Sequence, residues 1–214
     1  MGKGIIKLLN EFKEEILDII YPPINKCIVC NSEFIGICPI CNTSIKRCIR
    51  EGNIISYGHY KGALKKLLLE FKYKKNFTAG RVLADYIYKL IKENNIDAEA
   101  ILFIPSSKKA LKERGFNQCE FLAKEISRKL EIKIYRDIIK AKNIKEQKTL
   151  SKEDRVKNVK DAFKIRDKNN VKGKKIILLD DIVTTGATIF ECEKILKEAG
   201  AISINILTVA KSFI

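Results

Sequence analysis

The segment from Ile176 to Thr188 restricts the fold more than any other part of the chain. Four consecutive apolar residues predict a buried strand, Asp180 and Asp181 follow it, and a loop of small residues then opens a helix. Strand–helix units of this kind build open α/β sheets, which bind ligands at the carboxyl ends of their strands. The segment therefore predicts an α/β fold with a ligand site directly after this strand.

The loop after the two acids has the composition of a phosphate site. Backbone N–H groups at a helix N-terminus, the hydroxyls of Thr184, Thr185 and Thr188, and the close approach that Gly186 permits all suit a phosphate group. Carboxylates just before such a loop suit sugar hydroxyls, so a sugar phosphate is the expected ligand. The Gly-Lys-Ser/Thr ending of a Walker loop is missing. The alternative is a plain strand–turn–helix unit with two acids at an exposed turn.

Helical and extended patterns alternate along the rest of the chain. Helical periodicity covers residues 63–71, 79–92, 118–130 and 188–199, and extended patterns cover residues 53–60, 100–104, 132–139, 175–179 and 202–209. Residues 145–160 are charged and lack strong periodicity, which indicates a mobile loop or a short exposed helix. Strands that alternate with helices predict a parallel α/β sheet.

Cysteines are concentrated near the start of the chain. Cys27, Cys30, Cys38 and Cys41 form two C-x-x-C pairs, and two such turns complete a tetrahedral zinc site. A single redox C-x-x-C is the competing interpretation, although it does not need the second pair. Cys48 is interpreted as a spare thiol. Cys119 and Cys192 fall in helical patterns and are interpreted as small core residues.

These patterns divide the chain into three segments. We expect an N-terminal amphipathic helix over residues 1–22, a zinc-binding knuckle over residues 23–50 and the α/β domain over residues 51–214. Charged residues interrupt the apolar residues of the first segment, so no signal peptide is expected. The sequence contains no run of about 18 apolar residues, which argues against a transmembrane helix. A cytoplasmic protein is therefore predicted.

The chain carries a formal net charge of +16, with basic residues concentrated over 61–75 and 140–175. This indicates a polyanionic partner, such as nucleic acid, an anionic membrane face or a phosphorylated substrate; the alternative is a solvated lysine-rich surface. Tyr60, Phe71 and Tyr73 lie among the first lysines, which suits stacking on single-stranded nucleic acid or, alternatively, core aromatic residues. His59 is interpreted as structural, because no acid–base partner is evident near it.

The segment from Ile176 to Thr188 resembles the phosphoribosyl-diphosphate (PRPP) signature of type I phosphoribosyltransferases. By that resemblance, Asp180 and Asp181 face the ribose hydroxyls as the catalytic acids. The same resemblance implies that the 5-phosphate is held by Thr184, Thr185, Gly186, Ala187 and Thr188. In the hypoxanthine–guanine branch an Asp stands at the position of Thr184, so its absence argues against that substrate class.

The order of motifs is similar to that of the ComF family of competence-associated phosphoribosyltransferase-like proteins. After the four-cysteine knuckle come Tyr60-Lys-Gly62, Phe71-Lys-Tyr73, Ile104-Pro105, Glu113-Arg-Gly-Phe-Asn-Gln118, Gln147-x2-Leu-Ser151, Arg155, Asn158 and Ala162-Phe163. The resemblance covers nearly the whole chain. It implies a type I phosphoribosyltransferase-like fold, a Rossmann-like parallel sheet, with a small N-terminal four-Cys zinc knuckle.

The resemblance also implies roles outside the signature. The pyrophosphate of PRPP is expected to meet Ser106, Ser107, Lys108, Lys109 and Arg114, although ComF members often carry Leu-His where the two serines stand. The alternative for these residues is a solvated basic turn. Gln147 and Arg155 belong to residues 147–158, which are expected to close over the substrate; the alternative is a disordered basic linker. Mg²⁺ is expected with PRPP, and Zn²⁺ is expected to be structural.

Two functions follow. The first is PRPP binding with transfer of phosphoribose and release of pyrophosphate, in a protein linked to DNA uptake and natural transformation. The second is a non-catalytic zinc-finger adaptor that handles single-stranded DNA, engages the DNA-uptake machinery and uses PRPP as a regulatory ligand.

Overall fold

A computed structural model describes residues 25–50, 52–140, 159 and 161–212. The N-terminal helix predicted over residues 1–22 and the closing loop predicted over residues 147–158, with Gln147 and Arg155, lie outside these residues. Among the helices of the described part, none combines the length and the apolar character needed to cross a bilayer.

Strands and helices alternate through most of the described chain. The strands are β1 (Ile54–His59), β2 (Ala100–Phe103), β3 (Lys133–Tyr135), β4 (Ile138–Lys140), β5 (Phe163–Ile165), β6 (Lys175–Val183) and β7 (Ser203–Lys211). The α-helices are α1 (Pro39–Thr43), α2 (Gly62–Lys74), α3 (Phe77–Glu93), α4 (Lys108–Arg114), α5 (Gln118–Leu130) and α6 (Ala187–Glu198). A 3-10 turn spans Lys168–Asn170.

Five strands form one parallel sheet in the order β1-β7-β6-β2-β3. Strand β6 lies at the centre, where Leu178 pairs with Leu102 of β2 on one side and with Ile206 of β7 on the other. Strands β4 and β5 form a separate antiparallel pair. Because all five strands of the main sheet are parallel, the end of β6 and the residues after β2 lie at the same edge of the sheet.

Apolar side chains cover both faces of the central strand. On one face, Ile177 belongs to a core cluster with Leu68 of α2 and Ile126 of α5; on the other, Ile176 clusters with Leu196 of α6. All of these side chains are fully buried. A strand that is buried on both faces needs apolar residues at every position, which explains the uninterrupted apolar run at the start of the signature segment.

The structure departs from the sequence patterns at three points. Strand β6 continues through both acids to Val183, whereas the pattern ended it at residue 179. The extended segment predicted over 132–139 is divided into two short strands, β3 and β4, which belong to different sheets. The loop expected after Pro105 contains the short helix α4. The side chain of Ser107 caps its start, and Gly115 ends it at a φ of 80°.

The cysteine-rich segment packs against α2 and α3. Lys66 of α2 donates from Nζ to the carbonyl oxygen of Val29 at 2.8 Å. The hydroxyl of Tyr86 of α3 donates to Oδ1 of Asn42 at 2.6 Å. These contacts fix the segment to the helices that cover one face of the sheet.

Candidate functional site

The two acids of the signature lie side by side near the carboxyl end of β6. Oδ2 of Asp181 is 2.7 Å from Nζ of Lys72 on α2, and these side chains are only 15% and 10% exposed. The thiol of Cys119, near the start of α5, donates to Oδ1 of Asp180 across 3.6 Å. The backbone N–H of Asp181 also donates to Oδ1 of Asp180, at 2.8 Å. The acids therefore belong to a buried polar cluster and do not stand at a plain exposed turn.

This cluster changes the proton affinity of its members. Burial and then the charge of Asp181 raise the pKa of Asp180 to about 7. Burial alone would lower the pKa of Lys72, but the charge of Asp181 and its hydrogen bond outweigh burial, so the pKa is raised. Burial raises the pKa of the Cys119 thiol, which therefore stays protonated and donates. The cluster contains one firm ion pair beside a carboxyl group that titrates near neutral pH.

Lys72 and Cys119 were not identified as site residues from the sequence. The alternative of a solvated lysine-rich surface does not apply to Lys72, because the residue is only 8% exposed. Helical spacing could have indicated that Lys72 is buried, because Leu64, Leu68 and Lys72 follow one another at intervals of four on the same face of α2. Cys119 is buried as predicted, yet it contacts Asp180 at the site.

Residues 184–186 form the turn between β6 and α6, and Ala187 and Thr188 begin the helix. Gly186 is the N-cap of α6 at a φ of 76°, and Oγ1 of Thr185 accepts the N–H of Ala187 at 3.4 Å. The backbone N–H of Phe190 bonds to the carbonyl oxygen of Gly186 at 2.8 Å, which makes this the first turn of the helix. A concavity of about 40 Å³ is lined by Asp180 and residues 182–189. The structure thus brings one signature acid and the predicted phosphate loop to one small cavity at a helix N-terminus.

Gly186 has a second structural reason to be glycine. A Cβ atom at this position would lie 2.7 Å from Cε2 of Phe190, and the positive φ disfavours other residues. The close approach of this loop to a phosphate, which the sequence predicts, stays a prediction.

The basic turn after β2 lies at the same edge of the sheet. Ser106 and Ser107 follow β2 after two residues, Lys108 and Lys109 begin α4, and β2 is hydrogen-bonded to β6. Ser107 Oγ accepts the N–H of Ala110 at 3.1 Å, so this hydroxyl serves the cap of α4. Lys108 and Lys109 are exposed, and Nζ of Lys109 lies 3.9 Å from Glu113. The turn presents positive charge at the edge of the sheet where the acid pair and the phosphate loop also lie.

Arg114 connects this basic turn to the acid cluster. Its Nη1 donates to Oε1 of Gln118 at 2.8 Å, and its guanidinium lies 5.3 Å from the ring centre of Tyr73. Nε of Arg114 is buried and has no hydrogen-bond partner among the described residues. Gln118 immediately precedes Cys119, so the motif from Glu113 to Gln118 reaches the acid pair through α5. Asn117 caps this helix by accepting the N–H groups of Cys119 and Glu120.

The four cysteines of the two C-x-x-C pairs converge. The Sγ atoms of Cys27, Cys30, Cys38 and Cys41 all lie within 4.8 Å of one another. Cys30 and Cys38 approach to 3.6 Å between their sulfur atoms. Tetrahedral zinc with bonds of about 2.3 Å sets sulfur atoms about 3.8 Å apart, so this donor set fits zinc.

Hydrogen bonds around the cysteine cluster favour the thiolate of Cys27, whereas burial raises the pKa of Cys41. The backbone N–H groups of Val29 and Cys38 donate to Sγ of Cys27 at 3.4 and 3.3 Å. Burial raises the pKa of Cys27, but backbone donors outweigh it and lower the pKa to about 6. Cys48 lies outside the group and has its Sγ 3.4 Å from Nδ1 of His59. The expectation that His59 lacks a nearby partner is therefore wrong.

The aromatic residues predicted to stack on nucleic acid are only partly accessible. Phe71 is fully buried in the core, so the stacking interpretation is wrong for this residue. Tyr60 is half-buried, with Nζ of Lys65 5.8 Å from its ring centre. Tyr73 is 53% exposed and lies beside Arg114. Within the described residues, Tyr73 is the best exposed of the three.

Comparison with known proteins places this site in a wider class. The model of the phosphoribosyl transferase domain family matches residues 117–212, which include α5, β6, the acid pair and the 184–188 loop. Together with the parallel sheet and the four-cysteine cluster, this match defines a type I phosphoribosyltransferase-like fold with a four-Cys cluster near its N-terminal end.

Curated relatives narrow the class further. Competence protein F of Haemophilus influenzae is 30% identical over 193 residues, covering 87% of this chain and 84% of that protein. Competence protein ComFC of Bacillus subtilis is 26% identical and covers 99% of this chain and 98% of that protein. The DNA utilization protein YhgH of Escherichia coli is 29% identical over 109 residues, covering 50% of this chain and 47% of that protein. The chain belongs to the ComF family.

Proposed function

We propose that this chain binds PRPP at the carboxyl end of β6 and transfers its phosphoribosyl group with release of pyrophosphate. The observation that carries this proposal is the common cavity of Asp180 and the 184–188 loop at the N-terminus of α6. Helix N-termini bind phosphate through backbone N–H groups and the helix dipole. Carboxyl oxygens beside such a loop accept hydrogen bonds from sugar hydroxyls.

Each part of PRPP would have a matching group. Thr184, Thr185, Gly186, Ala187 and Thr188 would hold the 5-phosphate, and the acid pair would face the ribose 2- and 3-hydroxyls. The exposed amines of Lys108 and Lys109, with Ser106, Ser107 and Arg114 near them, would meet the pyrophosphate at the same edge of the sheet. Gln147 and Arg155 would complete the site from the closing loop.

The transfer itself breaks one bond and forms another. The bond between C1 of the ribose and the pyrophosphate oxygen breaks, pyrophosphate leaves with the electron pair, and an acceptor nucleophile bonds to C1. Basic side chains at the pyrophosphate stabilise the charge that develops there. Mg²⁺ bound to PRPP would supply further neutralisation of that charge. The carboxyl groups hold the ribose hydroxyls and thereby orient C1.

We also propose a structural Zn²⁺ at Cys27, Cys30, Cys38 and Cys41. Converging sulfur atoms, backbone N–H donors to Cys27 and a depressed thiol pKa support this assignment. A segment this short buries little apolar surface, so metal binding would contribute much of its folding free energy.

The biological setting that we propose is DNA uptake in the cytoplasm. Relatives named for competence and DNA utilization, together with the net charge of +16, support a link to DNA handling. The same observations support the second candidate, an adaptor that engages single-stranded DNA and uptake machinery and uses PRPP as a regulatory ligand. The two candidates differ in turnover: only the first releases pyrophosphate.

Isothermal titration with PRPP and Mg²⁺ tests the binding proposal. The double variant Asp180→Asn/Asp181→Asn should bind at least about tenfold more weakly than the unchanged protein, because hydrogen bonds to charged groups contribute about 1.5–3 kcal/mol each. Asp97→Asn is a matched control, since Asp97 pairs with Lys175 at the opposite end of β6 and is 73% exposed. Equal affinity of the double variant and the unchanged protein would overturn the proposal. Binding without pyrophosphate release, across bases, amines and nucleic acid as acceptors, would select the adaptor.

A further inference from the structure

The buried ion pair between Lys72 and Asp181 needs a reason beyond packing. Nζ of Lys72 lies 2.7 Å from Oδ2 of Asp181, with the two side chains only 10% and 15% exposed. Removing two charges from water is unfavourable, and apolar residues of similar volume often stabilise a protein as well or better. Leu64 and Leu68, on the same face of α2, are such residues. A lysine at the next position of this face therefore points to a task at the acid pair.

Two adjacent carboxylates in a half-buried site oppose each other's ionisation. Burial and the charge of Asp181 raise the pKa of Asp180, whereas the charge of Lys72 lowers it. Only an ionised carboxylate offers all of its oxygen lone pairs to hydroxyl donors. Without Lys72, the acid pair would keep fewer acceptors for a diol at neutral pH.

Other charged or titratable groups also face the acid pair, from every element around it. They are Tyr60 after β1, Cys119 of α5, Lys140 of β4 and Cys192 of α6. Only Lys72 places a cation within ion-pair distance of either acid in the described part of the chain. The positive charge of Arg114 acts on Lys72 and lowers the pKa of Lys72.

We propose that Lys72 is a positioning residue for the ribose site: its ammonium group orients the Asp181 carboxyl group through the buried ion pair, so that the acid pair can accept hydrogen bonds from a neutral vicinal diol. This inference rests on the proposed PRPP function. It assigns a role to the lysine of the Phe71-Lys-Tyr73 motif. The thiol of Cys119 donates a hydrogen bond to Asp180, and this bond favours the ionised form of that carboxyl group.

The test compares Lys72→Met with Lys74→Met. Lys74 is on the same helix and also pairs with an acid, Glu70, but its side chain is 70% exposed. Lys72→Met should weaken PRPP binding at least about tenfold at neutral pH and move the pH of half-maximal affinity upward by about one unit. Lys74→Met should change neither value. Lys72→Arg, which keeps the charge, should restore the pH profile in part.

A measurement without ligand separates this inference from the proposed function. The carbon NMR signal of the Asp180 carboxyl group should titrate at higher pH in Lys72→Met than in the unchanged protein, because a positive charge has been removed beside it. If the unchanged protein gives no binding heat with PRPP, the proposed function fails while this titration still decides the role of Lys72. If Lys72→Met does not fold, Lys72→Gln, a neutral polar residue, replaces it in both measurements. Unchanged titration and unchanged pH dependence of binding in a folded variant would overturn the inference.

Discussion

Replacing either acid of the pair by its amide should have opposite effects on stability. Asp180 has its pKa raised to about 7 in the folded protein, mainly by burial and by Asp181. Asp181 instead forms the buried ion pair with Lys72. Asp180→Asn removes a carboxyl group that the fold disfavours as an anion, whereas Asp181→Asn removes the only close counter-ion that the described structure gives Lys72. A site that serves packing alone would not show this contrast.

The magnitude for Asp180→Asn follows from proton linkage. The folded protein binds a proton at Asp180 up to about pH 7, while the unfolded chain releases it near pH 3.9, so stability falls as the pH rises between these values. From about pH 5 to about pH 8, a pKa of about 7 in the folded state corresponds to a loss of about 2–3 kcal/mol. Asparagine does not titrate. The free energy of unfolding of Asp180→Asn should therefore gain about 2–3 kcal/mol over the unchanged protein across this interval.

Urea unfolding at about pH 5 and about pH 8, with metal and protein concentrations held constant, measures this quantity. Asp181→Asn should be destabilised by about 3–5 kcal/mol at both pH values, because the Lys72 ammonium is left buried without its partner. If the difference between Asp180→Asn and the unchanged protein does not depend on pH, or if both amides are destabilised equally at high pH, the electrostatic description of the pair is wrong.

Three further predictions concern the zinc cluster, the phosphate loop and the basic surface. Protein purified without added metal should contain about one zinc per chain by elemental analysis. Cys48→Ser should not change the zinc content, because Cys48 contacts His59 outside the cluster. A folded protein without zinc, or loss of zinc in Cys48→Ser, would contradict the assignment. Gly186→Val should lower the free energy of unfolding by at least about 1–2 kcal/mol, because of the positive φ and the contact with Phe190. The variant should also lose PRPP affinity, and wild-type affinity by titration would refute this. Binding of single-stranded DNA should weaken with salt by a slope of about −0.7 per phosphate contacted; absence of binding at low salt would leave the charge as a solubility feature.

Much of the sheet and its covering helices could be predicted because their patterns are local. The apolar run before Asp180 and the helical periodicity over 118–130 depend on which face of each element is buried, and that information lies within a few residues. Convergence of the four cysteines was likewise predictable, because each C-x-x-C pair sets its own turn. The order of the strands and the short helix α4 were not, since they depend on contacts between distant segments and on a single capping serine.

The partners of the acid pair could not be predicted from the sequence. Asp180 and Asp181 were identified together with the loop that follows them, but their partners come from α2 and α5, which lie far away along the chain. A lysine at a buried helical position indicates that a counter-ion is needed, yet it does not say which acid provides it. Helical spacing places Lys72, but not its exposed neighbour Lys74, on the buried face of α2. Only the packing of α2 against the end of β6 identifies Asp181 as the acid that pairs with it.

Amide hydrogen exchange with and without PRPP and Mg²⁺ tests the central claim most directly, because it reports where the ligand binds. We predict slower exchange at residues 184–188 and in the first turn of α6, whose backbone N–H groups would bind the phosphate, together with residues 106–109 after β2. Exchange around Cys27 and Cys41 should stay unchanged, which provides an internal control. No change at residues 184–188 at a PRPP concentration that saturates binding, or protection confined to another surface, would contradict the account.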